Sequence, residues 1–151
     1  MREESDNLVS RRRTVRLGPE ESFRLLASVP VGRVVFSYEA LPAIRPVNHI
    51  VDDGKVLIRT HDGAAIIPTA LRQAVVAYEA DELDPVRRTG WSVIVTGMAA
   101  FVTEPDRLET YRDRLQSWMD GALDYVIEIV PGQVTGIRIV DEESDGLGER
   151  R

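Results

Sequence analysis

Residues 44–60 read Ile44-Arg-Pro-Val-Asn-His-Ile-Val-Asp-Asp-Gly-Lys-Val-Leu-Ile-Arg-Thr60, and their pattern decides the fold. Two runs rich in β-branched residues flank Asp52-Asp53-Gly54. An Asp-Gly pair between such runs signals a hairpin, because glycine supplies the positive φ that a tight reversal needs. The spacing predicts strands over 44–51 and 55–60. Pro46 cannot donate to a ladder, so its strand must be an edge at that point or carry a bulge.

Working outward, more strands appear at 33–37 and 75–80, with a long one at 90–102. The long strand is apolar on both faces, with Trp91, Val93 and Val95 on one and Ile94 and Met98 on the other. A strand with one face in water alternates more cleanly, so a helix or a second subunit is expected over the other face. Residues 81–89 read as a charged loop. Residues 125–130 and 134–140 read as a closing hairpin around Pro131-Gly132.

Three helices are expected among these strands. The first starts at Pro19, with Glu20 and Glu21 near its positive end and Phe23, Leu26 and Ala27 facing inward. A short one spans 64–72 with Pro68 inside it. The third opens at Thr103-Glu-Pro-Asp106, with Thr103 as cap, and runs to Gly121 with Leu108, Tyr111, Leu115 and Trp118 on one side. Its aromatic residues suit core packing. Strands without regular strand–helix–strand alternation give a mainly β, α+β chain: a six- to seven-stranded antiparallel barrel. The domain is expected over 17–140, with a flexible arm at 1–16 and a flexible tail at 141–151.

Composition narrows the function. The 151 residues are 43% hydrophobic and 29% charged, which suits one globular domain. A net charge of −6, with Lys55 the sole lysine, argues against a general nucleic-acid binder. A regulatory role for an Arg11-Arg12-Arg13 arm on nucleic acid is disfavoured on the same ground. Lack of cysteine removes thiolate chemistry and Cys-type metal sites, and the two histidines, His49 and His61, have no metal-ligand spacing. No stretch reaches the roughly 20 apolar residues of a membrane span, and the start carries no apolar leader, so no membrane association and a cytoplasmic location are expected.

No GxSxG, P-loop or GxGxxG motif occurs. His49 and His61 read as structural or surface groups, and Asp52-Asp53 as turn formers. Arg45-Pro46-Val47-Asn48, Arg59-Thr60 and Thr89-Gly90-Trp91-Ser92 remain as donors and an aromatic face at strand ends. Arg and Thr donors suit a phosphate, and Trp suits a flat ring system. By themselves these residues fit either a cofactor site or ordinary polarity at a sheet edge.

The order and spacing of Gly32-Arg-Val-Val-Phe36, residues 44–48, residues 52–60, Val75-Val-Ala-Tyr-Glu-Ala-Asp81 and Thr89-Gly-Trp-Ser-Val-Ile-Val-Thr-Gly97 carry a resemblance. The chain resembles the pyridoxamine 5′-phosphate oxidase-like flavoproteins, more narrowly their actinobacterial, nitroimidazole-resistance-type branch. The resemblance implies an FMN-binding split barrel, a homodimer, and FMN (or the related deazaflavin) in clefts between subunits. It implies a flavin-dependent oxidoreductase acting on a small molecule, with no protein acid or base assigned. By the resemblance, Arg45, Pro46, Val47 and Asn48 flank the flavin ring. Arg59 and Thr60 approach the phosphate, and Trp91 and Ser92 line the cleft. Family members commonly carry a phosphate-binding Lys where Ala65 stands here. That departure supports an alternative, a non-catalytic ligand-binding or scaffold homodimer that has lost the flavin.

Overall fold

The computed structural model describes residues 11–116 and 124–142. Its strands are β1 (Arg12–Leu17), β2 (Val31–Tyr38), β3 (Leu41–Asp52), β4 (Lys55–His61), β5 (Val75–Asp84), β6 (Thr89–Phe101) and β7 (Asp124–Asp141). Its helices are α1 (Pro19–Ala27), α2 (Ile67–Leu71) and α3 (Pro105–Arg114). The sheet runs β1-β7-β4-β3-β2-β5-β6, and β6 also pairs with β7. That last pairing closes strands β2 to β7 into an antiparallel split barrel, leaving β1 as an added strand on β7. No helix among the described residues is long and apolar enough to cross a membrane.

The turn at Asp53-Gly54 forms as its sequence dictates, with φ of 49° and 68° at the two residues. The β3–β4 ladder then runs only from Asp52–Lys55 to His49–Ile58. Residues 41–48 of β3 pair with β2 alone. Pro46 therefore sits where β3 is locally an edge, and its missing N–H leaves no gap in the β3–β4 ladder. Beyond His49, β3 stays with β2 while β4 follows β7. The barrel splits at this point.

Several sequence expectations need correction. Residues 124–141 form one strand, and Pro131-Gly132 makes a bulge in it: Thr96 faces Gln133 while Gly97 faces Pro131. A Cβ on Gly97 would stand 1.9 Å from the Val130 carbonyl, so the two strands can approach here only because Gly97 lacks one. The expected loop at 81–89 is mostly strand, and β5 and β6 pair out to Asp84–Thr89. Asp84 caps the short turn by accepting from the amides of Val86 and Arg87, which holds its carboxyl below the usual range. β1 lies inside the segment expected as an arm, with Arg12 opposite Asp141.

The helices also shift in detail. On α1 the buried residues are Ser22 and Leu26, and Ala27 is exposed. A Cβ on Gly136 would meet Ser22 Oγ at 2.2 Å, so α1 and β7 can approach this closely only because residue 136 has no side chain. α2 is shorter than expected, and Pro68 falls in its first turn, where no N–H is missed. α3 is capped at Glu104, not Thr103. Tyr111 and Leu115 are buried beneath it as expected, whereas Trp118 and Gly121 lie outside the described residues.

The main core fills the barrel with Val34, Phe36, Val56, Ile58, Tyr78, Trp91, Val93, Val95 and Ile129, plugged by Leu26 of α1. A second cluster of Leu57, Val102, Tyr111, Leu115 and Val126 seats α3. Arg107 links α3 to Glu128 at 2.6 Å, and Tyr111 donates to Asp52 at 2.8 Å.

Candidate functional site

The split between β3 and β4 opens a cleft of about 440 Å³. Its walls are Arg45, Pro46, Val47 and Asn48 from β3, and Ile58, Arg59, Thr60 and His61 from β4. Gly63, Ala64, Ala65 and Ile66 close one side, Val31 and Val34 the floor, and Asp124 the rim at the start of β7. The arrangement follows from register. On the N-terminal side of His49, β3 has no β4 partner, which leaves Arg45 and Asn48, with the apolar Pro46 and Val47 between them, facing a gap in place of a ladder. Gly63, at φ 81°, then turns the chain from β4 into α2, and Ala64 donates back to the His61 carbonyl at 3.2 Å.

The polar groups of the wall are unequally engaged. Arg45 is exposed and donates through Nη1 to the Ile44 carbonyl at 2.8 Å. Asn48 donates to the Gln116 carbonyl at 2.7 Å. Arg59 donates through Nη1 to the carbonyls of Arg112 and Leu115, at 3.0 and 2.6 Å, and so caps the C-terminal end of α3. Its Nη2 pairs with Asp124 Oδ2 at 2.5 Å. Arg59 Nε is buried and has no hydrogen-bond partner among the described residues.

The structure thus brings together Arg45, Pro46, Val47, Asn48, Arg59, Thr60 and Ala65. Trp91 and Ser92 do not line this cleft. Trp91 is 5% exposed and belongs to the main core, and Ser92 pairs with Asp81 and Ile137 along β6. Asp124 was missed by sequence reasoning. It sits 65 residues from Arg59, and only the β4–β7 register, His61 opposite Asp124, brings it to the rim. His61, read as a surface group, also lines the cleft.

Below the cleft lies a buried polar chain. His49 Nε2 donates to the Leu26 carbonyl at 2.7 Å, since a carbonyl can only accept. Nδ1 is then the acceptor for the Tyr78 hydroxyl. Burial lowers the His49 pKa and raises that of Tyr78, so both stay neutral. This chain ties α1 to β3 and β5 and contributes no group to the cleft wall.

A closed antiparallel barrel, split on one side into a small cleft with apolar walls and a few convergent donors, defines the class: a split-barrel protein with a small-molecule site. The chain belongs to the pyridoxamine 5′-phosphate oxidase family, whose model matches residues 18–138. It is 54% identical over 135 residues to an uncharacterized protein of Mycobacterium tuberculosis, covering 87% of this chain and 89% of that one. Among solved structures, it is similar to the FAD binding protein of Mycobacterium smegmatis, with 30% identity and TM-score 0.65, covering 83% of this chain and 98% of the other. A FAD-binding protein of Mesorhizobium loti, at 20% identity, shares the fold with TM-score 0.72, covering 86% and 99% of the two chains.

Proposed function

We propose that the cleft binds a flavin, and that the protein is a flavin-dependent oxidoreductase of a small-molecule substrate. The observation that carries this reading is the cleft at residues 45–48 and 58–66, of a size usual for small-molecule sites. The M. smegmatis relative, described as binding FAD, supports it. The buried, unpartnered Nε of Arg59 fits an anionic group nearby, because a buried N–H without an acceptor is costly. Arg45 and Asn48 would hold the ring side of such a ligand, and Arg59 and Thr60 its phosphate. When bound, the flavin supplies the hydride chemistry. The chain's own part is to position it and shield it, with Pro46, Val47 and Ala65 as apolar wall.

A homodimer belongs to the same proposal. Ile94 and Met98 of β6 are 42% and 49% exposed, and Met98 lies opposite the exposed Val75. This apolar sheet face is one that a second copy would cover. Sedimentation should then give about twice the chain mass of 16.9 kDa.

A second reading, a non-catalytic ligand-binding dimer, is favoured by one observation: Ala65 offers no ammonium, and Arg59 is already paired with Asp124. Absorbance of the purified protein, then titration with FMN, FAD and a deazaflavin, separates the two. Flavin bound with a reducible visible band supports the oxidoreductase. A colourless protein that takes up none of the three overturns it.

A further inference from the structure

Arg59 leaves one edge of its guanidinium half filled. Nη1 is anchored by the carbonyls of Arg112 and Leu115 at the end of α3, Nη2 meets Oδ2 of Asp124, and Nε–H has no acceptor among the described residues. In a guanidinium, Nε–H and one N–H of Nη2 project from the same edge and match two oxygens of a single oxyanion. Asp124 meets that edge through one oxygen only. The pair lies on the cleft rim with side chains 17% and 14% exposed, and both residues line the cleft. The register makes them diagonal neighbours, with Arg59 opposite Val126 and His61 opposite Asp124.

We propose that Asp124 is a resident competitor for Arg59: its carboxylate holds the seat of a ligand's phosphate, which enters by displacing it. The identity of the ligand rests on the flavin reading above; the seat itself does not. The two Nη1 bonds keep the guanidinium in place when Asp124 leaves. The freed Nε–Nη2 edge then takes two phosphate oxygens, and the orphaned Nε–H gains its acceptor. A tetrahedral dianion gains more from this edge than a carboxylate does, so the exchange selects phosphate-bearing ligands over neutral ones. Asp124 thereby sets affinity in a cleft that lacks a lysine at Ala65.

The test uses the full chain as wild type, Asp124→Asn and Asp124→Ser. Each is titrated calorimetrically at low salt with inorganic phosphate, FMN and riboflavin. Removing the carboxylate should tighten phosphate and FMN by about tenfold or more and leave riboflavin within about twofold. Phosphate and FMN affinities that stay level or fall overturn the proposal and make the pair a purely structural tie between β7 and α3. If no variant binds FMN or riboflavin, the flavin reading fails, and the phosphate arm alone still decides the role of Asp124. Should neither variant fold, the wild type decides. Exchanging chloride for phosphate at equal ionic strength should shift the Arg59 Nε–H resonance, and an unmoved resonance overturns the proposal.

Discussion

The Tyr78 hydroxyl donates to Nδ1 of His49 in the barrel interior, with the two rings edge-on at 5.0 Å and 78°. Because His49 passes its other ring hydrogen to the Leu26 carbonyl, one neutral tautomer is fixed. Tyr78→Phe strands a buried acceptor and should cost about 1–3 kcal/mol in urea unfolding.

The same pair predicts a pH dependence. Burial lowers His49 below its unfolded value of 6.5, so only the unfolded chain takes up a proton as pH falls. The stability contribution is complete above that value and is lost as pH drops through the range beneath it. Urea midpoints measured across that range should fall for the wild type, and His49→Gln should remove this component of the slope.

Glu79 should act with the opposite sign. Desolvation first, then the hydrogen bond and repulsion from Asp81, push its carboxyl from 4.5 up to about 7, against the pull of Arg33 at 3.5 Å. A raised carboxyl adds stability below the unfolded value and loses it as pH rises through the folded one. Glu79→Gln should therefore be more stable than the wild type above neutrality, with the advantage shrinking on acidification. A Glu79 carboxyl resonance titrating near 4.5 would contradict this.

Gly97, opposite Pro131, and Gly132, the residue skipped in the register, both belong to the bulge but should respond differently to alanine. The new Cβ at 97 collides with the Val130 carbonyl at 1.9 Å, whereas at 132 the nearest atom is 3.6 Å away. Gly97→Ala should cost at least about 1–3 kcal/mol, and Gly132→Ala far less. Thermal and urea unfolding of both variants give the comparison.

Ala65→Lys places an ammonium on the cleft wall. FMN binding should tighten by roughly tenfold at low salt, with the gain shrinking as ionic strength rises and riboflavin unaffected. Equal affinities at both salt concentrations would show that position 65 does not face the phosphate.

Much of this architecture is legible in the residues themselves. Asp53-Gly54 dictates its hairpin, Pro19 its helix start, and the alternation of Trp91, Val93 and Val95 names the inward face of β6. The bulge at Pro131-Gly132 was not legible, because turns and bulges use the same residues and only the facing Gly97 tells them apart. In the site, residues 45–48 announce themselves through Pro46 in a strand. Asp124 does not, since its partner lies far away in the chain. Arg59 was expected to approach a phosphate; the structure shows its guanidinium engaged by α3 and Asp124, so Arg59→Ala removes a helix cap as well as a cleft donor.

The pairing of β1 with the last residues of β7 has a consequence for synthesis. Arg12 meets Asp141, and among the described residues β1 has no other neighbour in the sheet. During translation β1 is made well before its partner residues 136–141, by on the order of ten seconds at ordinary elongation rates. For that interval it is a bare strand open to pairing with other nascent chains. Its arginines, Arg12, Arg13 and Arg16, are charges of the kind that disfavour pairing of an uncovered strand with other chains.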